Sequence, residues 1–144
     1  MHSLKFNFTR TAAKVIAAEM TRVLPPLSKD IIITHVPTAT SHIRQRGFDQ
    51  SALIARELAK LLGVPHVHGL ARIGQQRQVG SGRLERLTQM RRAFRVVSPH
   101  VVVGSHILLI DDVLTTGSTL EAAALTLKRS GALSVSAVCF AQAK

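Results

Sequence analysis

The sequence predicts an α/β fold in which helices flank an open parallel β-sheet. Short runs of β-branched and aliphatic residues, at 31–36 and 107–110, alternate with longer stretches of helical periodicity. The second run lacks polar alternation, as is typical of a strand buried on both faces. Strands that alternate with helices imply a parallel sheet with right-handed crossovers. Because no linker or internal repeat interrupts the 144 residues, we expect one domain over residues 1–144.

The first half of the chain carries clear start and stop signals. An opening helix is predicted over residues 4–24, and Pro25-Pro26 end it. The strand at 31–36 ends at Pro37, and a polar, basic loop should follow. A second helix is predicted over residues 49–62, with Asp49 or Ser51 as N-cap and Gly63 in the C-cap position.

The second half is less regular before it returns to alternating elements. Residues 64–68 could form a short strand, and residues 72–95 are predicted as a mobile loop passing into a short helix. The strand at 107–110 leads to a helix over 119–130 and a strand over 133–140. That last strand contains the only cysteine, Cys139, which we expect to be buried.

The charge is unevenly distributed along the chain. The formal net charge is +11, and residues 41–95 contain 11 Lys and Arg against three acids, a balance of +8. Polyanions are natural partners of such a segment, although a solvated basic face is the simpler alternative. Its aromatic residues are Phe48 and Phe94. No run approaches the roughly 20 apolar residues of a membrane span, and no signal peptide is apparent, so a cytoplasmic location without a membrane span is expected.

A sugar-phosphate site is predicted where the strand at 107–110 meets the following helix. Gly117 permits close backbone approach, and the first amides of the helix carry positive dipole. Asp111 and Asp112 can accept hydrogen bonds from ribose hydroxyls. The expected phosphate-binding residues are Thr115, Thr116, Gly117, Ser118 and Thr119. The alternative is an ordinary acidic turn followed by a capping box from Ser118 to Glu121. Neither a P-loop nor a GxGxxG motif is present.

Residues 107–119 resemble the phosphoribosyl pyrophosphate signature of type I phosphoribosyltransferases. The resemblance implies a type I phosphoribosyltransferase fold, with Asp111 and Asp112 as catalytic acids at the ribose 2- and 3-hydroxyls. Residues 115–119 would wrap the 5-phosphate. It also implies Mg²⁺ as cofactor, held through the oxygens of phosphoribosyl pyrophosphate rather than by protein ligands.

The basic segment is similar to ComF-type competence proteins, through Val36-Pro37, residues 44–50, residues 78–80 and Ala93-Phe94. This similarity extends over residues 4–142. It implies a role in uptake or processing of transforming single-stranded DNA, beside a helicase and recombination proteins. Asp49 and Gln89 stand where that family usually has Asn, and the family's amino-terminal cysteine-rich zinc module has no counterpart here.

The resemblance to type I phosphoribosyltransferases also implies roles for two basic regions, because of their positions in the chain. Arg44, Arg46 and Gly47, in the loop at 38–47, are expected to bind pyrophosphate. The stretch 72–95 is expected to close as a lid. Its basic residues of interest are Arg83, Arg86, Arg91 and Arg92. His66 and His68 would share one strand face, but without an apparent third ligand they are treated as ordinary residues.

The sequence is compatible with three classes of function. One reading is an active phosphoribosyltransferase of nucleotide salvage or biosynthesis that transfers phosphoribosyl to a nitrogenous base. Another is a ComF-like protein that binds phosphoribosyl pyrophosphate or ribose 5-phosphate in DNA handling. A third is a nucleotide-sensing regulator on the same fold. A homodimer that completes the site is a further expectation for a small domain with little chain outside its core.

Overall fold

The computed structural model describes residues 2–73, 82, 93–114 and 117–142. Five helices and five strands are defined within these ranges. In chain order they are α1 His2–Val23, β1 Ile31–His35, α2 Thr40–Arg46, α3 Gln50–Leu62, β2 Leu70–Arg72, β3 Phe94–Val96, α4 Pro99–Val102, β4 His106–Leu114, α5 Ser118–Arg129 and β5 Ser134–Gln142. None of these helices is both long and apolar enough to cross a membrane.

A parallel sheet with β4 at its centre forms the middle of the molecule. Its order in the described residues is β1-β4-β5, with Ile31 opposite His106 and His106 opposite Ser134. Residues 65–67 extend the sheet beyond β1, because the Ile33 amide donates to the Pro65 carbonyl and the Val67 amide to the Ile33 carbonyl, both at 2.9 Å. Strands β2 and β3 form a separate antiparallel pair.

Helices cover both faces of this sheet, as the unbroken apolar run in β4 predicts. Leu108 and Ile110 pack with α1 and α3 on one face, where the helices contribute Ala17, Ile54 and Leu58. On the other face, Ile107 and Leu109 pack against α5, chiefly Ala123 and Leu127. Burying each large aliphatic side chain contributes about 1.5–3 kcal/mol, so β4 is a main source of stability. The predicted parallel α/β fold is confirmed.

The predicted helix at 49–62 and its caps are also confirmed. The Asp49 carboxylate accepts from the Ala52 amide, so Asp49 rather than Ser51 is the N-cap. Gly63 ends the helix with φ 68°, a left-handed conformation that a side chain disfavours.

Several elements differ from the sequence prediction. The expected basic loop after β1 contains α2, a short helix that ends at Gly47. Strand β4 continues to Leu114, so Asp111 and Asp112 lie in the strand and not in the loop after it. Residues 64–68 form an isolated bridge at His66 instead of a strand. Strands β2 and β3 and helix α4 were not predicted, and Cys139 lies in β5 but is only half-buried.

Candidate functional site

The crevice between the carboxyl ends of β1 and β4 is a topological switch point of the sheet. From β1 the chain crosses through α3 to residues 65–67 on one side, whereas from β4 it crosses through α5 to β5 on the other. The two crossovers therefore lead away from β1 and β4 in opposite directions, which leaves a crevice between the carboxyl ends of these strands. Ligands of open α/β sheets bind at such a point.

An acid pair and a buried hydroxyl form the floor of this crevice. Asp111 and Asp112 lie side by side near the end of β4, and the Asp112 amide donates to Asp111 Oδ1 at 2.9 Å. Ser51, in the first turn of α3 and fully buried, places its Oγ 3.4 Å from Asp111 Oδ1 and 3.4 Å from Asp112 Oδ1. The structure thus joins the two acids to a serine that is 60 residues from Asp111 and 61 residues from Asp112.

The two acids have different electrostatic environments. Burial raises the pKa of Asp111 to about 7, and hydrogen bonding to Asp112 and its charge add to the rise. Close to neutral pH, Asp111 therefore exchanges between a carboxyl that can donate and a carboxylate that accepts. A pair of this kind can satisfy hydroxyl groups, which both donate and accept.

Helix α2 brings one predicted pyrophosphate residue to this pair. Arg46 Nη1 lies 3.7 Å from Asp112 Oδ2, an ion pair that links the loop after β1 to the end of β4. Gly47 ends α2 with φ 82°, and its amide donates to the Ile43 carbonyl. Arg44 is exposed on α2. Arg46 and Asp112 are thus brought together, and the loop that carries Arg44 and Gly47 borders the crevice.

Asp49 holds the loop after β1 in place. Its carboxylate accepts from the Thr38 amide at 3.1 Å, the Thr38 hydroxyl at 2.8 Å and the Ala52 amide at 3.2 Å. One side chain therefore caps α3 and fastens the start of the loop. The N-cap was predicted from the sequence, but Thr38 was missed because nothing local couples it to a residue 11 positions later.

Arg72 is a further site residue that sequence reasoning passed over. Its Nε donates to the Pro37 carbonyl at 2.6 Å, and its guanidinium carbon lies 5.1 Å from the centroid of the Phe94 ring. Burial lowers the pKa of Arg72, while Asp111 and Asp49 act in the opposite direction. Arg72 was predicted as the beginning of a mobile loop, yet it lies in β2 and borders the crevice.

Three histidines form a cluster at the end of β1, next to Asp49. His35 Nδ1 lies 3.0 Å from His66 Nε2, and the His68 ring lies edge-on to His35 with centroids 4.9 Å apart. Burial lowers the pKa of both His35 and His66 to about 4. The sequence showed no third partner for His66 and His68, and the structure supplies His35. Within the described ranges, no such cluster has metal-binding geometry.

The predicted phosphate loop is described only in part. Gly117 is the N-cap of α5 with φ 82° and makes no side-chain cap hydrogen bond, so the predicted capping box from Ser118 is wrong as to the capping residue. Ser118 and Thr119 open α5. The remaining predicted residues, Thr115, Thr116, Arg83, Arg86, Arg91 and Arg92, lie outside the described residues, as does Gln89.

The part of the chain that carries the acid pair matches a known protein family. Residues 49–144, two thirds of the chain, match the phosphoribosyl transferase domain. The chain belongs to this phosphoribosyltransferase family. The match begins at the N-cap of α3 and includes β4 and α5, the elements that carry the acid pair and Gly117.

Relatives of this phosphoribosyltransferase-family chain include proteins named for DNA use and competence. It is 34% identical to the DNA utilization protein YhgH of Salmonella typhi, over 96% of this chain and 64% of that protein. It is 30% identical to competence protein ComFC of Bacillus subtilis, over 91% of this chain and 48% of the relative. The chain therefore spans half to two thirds of the length of these relatives, and the similarity to ComF-type proteins is confirmed.

Solved structures of the phosphoribosyltransferase family show the same fold. The glutamine phosphoribosylpyrophosphate amidotransferase of B. subtilis superposes with a TM-score of 0.60 at 20% identity, over 91% of this chain and 25% of that one. The adenine phosphoribosyltransferase of Thermoanaerobacter pseudethanolicus gives 0.60 at 18% identity, over 92% of this chain and 68% of its own. At these identities the likeness concerns the fold alone.

Proposed function

We propose that this chain binds phosphoribosyl pyrophosphate or a ribose 5-phosphate ligand in the crevice between β1 and β4. The observation that carries the proposal is the convergence of Asp111, Asp112 and Ser51 at a topological switch point. Hydroxyl-binding acids there lie one short loop before the amino terminus of α5, which favours a phosphate dianion. A ribose 5-phosphate carries both hydroxyl groups and a phosphate on one molecule.

The residues of the crevice divide between the parts of this ligand. Asp111 and Asp112 bind the ribose hydroxyls, and residues 115–119 bind the 5-phosphate. Arg46 exchanges its contact with Asp112 for the pyrophosphate, and Arg44 adds a second cation from the same helix. Arg72, whose Nε donates to the Pro37 carbonyl, contributes positive potential that acts on Asp111 and Asp49.

The donor set fits Mg²⁺ carried in with the ligand. The floor offers hard carboxylate and hydroxyl oxygens, and Mg²⁺ usually binds through few carboxylates together with substrate phosphates and water. The ion would neutralise pyrophosphate charge when bound. Asp111 and Asp112 orient the ribose, and the arginines of α2 balance the remaining negative charge.

The biological role we propose is that of a ComF-like protein linked to uptake or processing of single-stranded DNA in the cytoplasm. The names of the YhgH and ComFC relatives support it, as does the +8 balance of residues 41–95. Helicase or recombination proteins are the partners that this role would require. Active phosphoribosyl transfer to a base, or a regulator that senses nucleotide supply, are the alternatives, since the site geometry serves binding and turnover alike.

Isothermal titration calorimetry with phosphoribosyl pyrophosphate and Mg²⁺ tests the site. Asp112→Asn should weaken binding about 10- to 100-fold, because hydrogen bonds to a charged group contribute about 1.5–3 kcal/mol. Gly117→Val should also weaken it, because its φ of 82° opposes a β-branched side chain. Gly63→Val is the matched control, with φ 68° at the far end of α3. Unchanged affinity in both site variants would place the ligand elsewhere.

A turnover assay separates the enzyme from the binding protein. Pyrophosphate release is followed with phosphoribosyl pyrophosphate and a panel of purine and pyrimidine bases. Release that depends on one base and is lost in Asp112→Asn would identify a transferase. Binding without release for any base would favour the ComF-like sensor or DNA-handling protein.

A further inference from the structure

The histidine cluster is connected to the candidate site through Asp49. His35 ends β1 and is 3% exposed, and its Nε2 lies 3.9 Å from Asp49 Oδ2. Asp49 in turn fastens Thr38 and caps α3. His66 contacts the opposite side of the His35 ring, 3.0 Å from Nδ1. A continuous line of polar groups therefore runs from His66 through His35 and Asp49 to the loop after β1.

The tautomer of His35 follows from these contacts. If His35 Nδ1 donated to His66, the lone pair of His35 Nε2 would face the Asp49 carboxylate in a buried setting, which is repulsive. If His66 Nε2 donates instead, the proton of His35 lies on Nε2 and faces the carboxylate. Only the second arrangement is favourable at both ends of the ring.

We propose that His35 is a positioning residue, held by His66 in its Nε2-protonated tautomer so that it orients Asp49 and the anion-binding loop at 38–47. The part of this inference that concerns ligand affinity rests on the proposed function. His35 touches no part of the proposed ligand, and it acts by restricting the carboxylate that fastens Thr38. Burial lowers the pKa of His35 and keeps its ring neutral, and His66, His68 and Arg56 act in the same direction, while Asp49 opposes them.

Two variants of His35 separate positioning from packing. His35→Gln can place an amide donor near the position of Nε2, whereas His35→Asn reaches only the position of Nδ1 and loses the donor toward Asp49. Amide hydrogen exchange at residues 38–47 should quicken about fivefold or more in His35→Asn and remain near wild type in His35→Gln. Exchange in α5 should stay unchanged in both variants and serves as the control for global destabilisation.

The ligand readout uses the same pair of variants. His35→Asn should weaken phosphoribosyl pyrophosphate about fivefold more than ribose 5-phosphate, and His35→Gln should restore most of the loss. In an Asp49→Asn background the effect of His35→Asn should vanish, because a residue that acts through Asp49 has nothing left to orient. Equal losses for both ligands, or additive losses in the double variant, would overturn the inference.

Ligand binding and loop exchange report separately on the proposed function and on the role of His35. A wild-type protein that binds neither ligand would defeat the proposed function, while the exchange experiment would still decide on the positioning role. If His35→Asn does not fold, His66→Leu takes its place, since it removes the donor to His35 Nδ1 and should quicken exchange in the same loop. Normal exchange in His66→Leu, or a nitrogen NMR spectrum with the His35 proton on Nδ1, would contradict the proposal.

Discussion

Two features of the surroundings of Asp111 act on its pKa in the same direction. Its side chain is taken out of water at the end of a buried strand, and it stands beside a second acid. Both effects disfavour the charged form, so the pKa of Asp111 rises to about 7. Two hydrogen bonds to Asp111 act the other way, one from the Asp112 amide at 2.9 Å and one from the Ser51 hydroxyl at 3.4 Å. A site that costs stability when charged is typical of a binding or catalytic position.

The Asp111 shift makes a prediction about stability and pH. A raised folded pKa means that the native state binds more protons than the unfolded state between about pH 4 and pH 7. Asp111 therefore lowers the free energy of unfolding progressively as pH rises through this window. Asp111→Asn, which stays neutral, should gain stability relative to wild type from pH 4.5 to pH 7.5 in urea denaturation. A constant difference across these pH values would contradict the shift.

The histidines predict the opposite trend on the acid side. The pKa of His35 and of His66 is lowered to about 4, so the unfolded state binds more protons between about pH 4 and pH 6.5. Their contribution to stability is complete above pH 6.5 and is lost as pH falls toward 4. His35→Gln should therefore unfold with a weaker pH dependence than wild type in this window. A His35→Gln variant with the same pH dependence as wild type would contradict the lowered pKa of His35.

At the scale of elements, helix α2 places a basic stretch of the chain at the edge of the crevice. It ends at Gly47, whose φ of 82° lets the chain reverse into Asp49 and α3. The amide of Gly47 satisfies the Ile43 carbonyl, as a helix end requires. Arg46 faces Asp112 because this turn brings the end of α2 toward β4.

The turn at Gly47 can be tested against its counterpart at Gly63. Gly47→Ala and Gly63→Ala both place a side chain in the left-handed region, so each should cost about 1 kcal/mol of stability. No atoms lie within 4 Å of an added Cβ at either position, so backbone strain alone is compared. Only Gly47→Ala should also weaken phosphoribosyl pyrophosphate in calorimetry, because it displaces Arg46. Equal affinities in the two variants would separate α2 from ligand binding.

The arginines of α2 give a second prediction for this element. Replacing Arg44 and Arg46 together by Ala should weaken phosphoribosyl pyrophosphate much more than ribose 5-phosphate, because only the first carries the pyrophosphate that they would pair with. The exposed Arg22 of α1, replaced by Ala, is the control and should affect neither ligand. Similar losses for both ligands would count against the pyrophosphate assignment.

For the whole molecule, the uneven charge predicts contact with nucleic acid. The +8 segment at 41–95 should bind single-stranded DNA weakly and with little sequence preference. Phe94, one of the two aromatic residues of this segment, is not available for stacking on bases, because it is 4% exposed and packs under Arg72. Electrostatics must therefore dominate, and affinity should fall steeply as salt is added.

Fluorescence anisotropy with a labelled single strand tests this prediction. Phosphoribosyl pyrophosphate should displace DNA at low salt if Arg44, Arg46 and the cations at 83–92 serve both ligands. A strand that stays bound at saturating phosphoribosyl pyrophosphate would show that the two sites are separate. No binding at about 50 mM salt, where basic proteins still bind nonspecifically, would reject the DNA reading.

Local signals in the sequence determined the long helices, the strands of the parallel sheet and the centre of the candidate site. Helical periodicity, the Asp49 and Gly63 caps, the apolar run of β4 and the motif at 107–119 are each encoded within a few neighbouring residues. Only the tertiary structure decided what meets there: Ser51 with the acid pair, Thr38 with Asp49, Arg72 with Pro37, and His35 with His66. Apart from the Thr38 contact, these pairs are 31 to 61 residues apart. Such contacts depend on strand order and crossover direction, which place distant residues together without leaving a periodic or spacing signal in either segment.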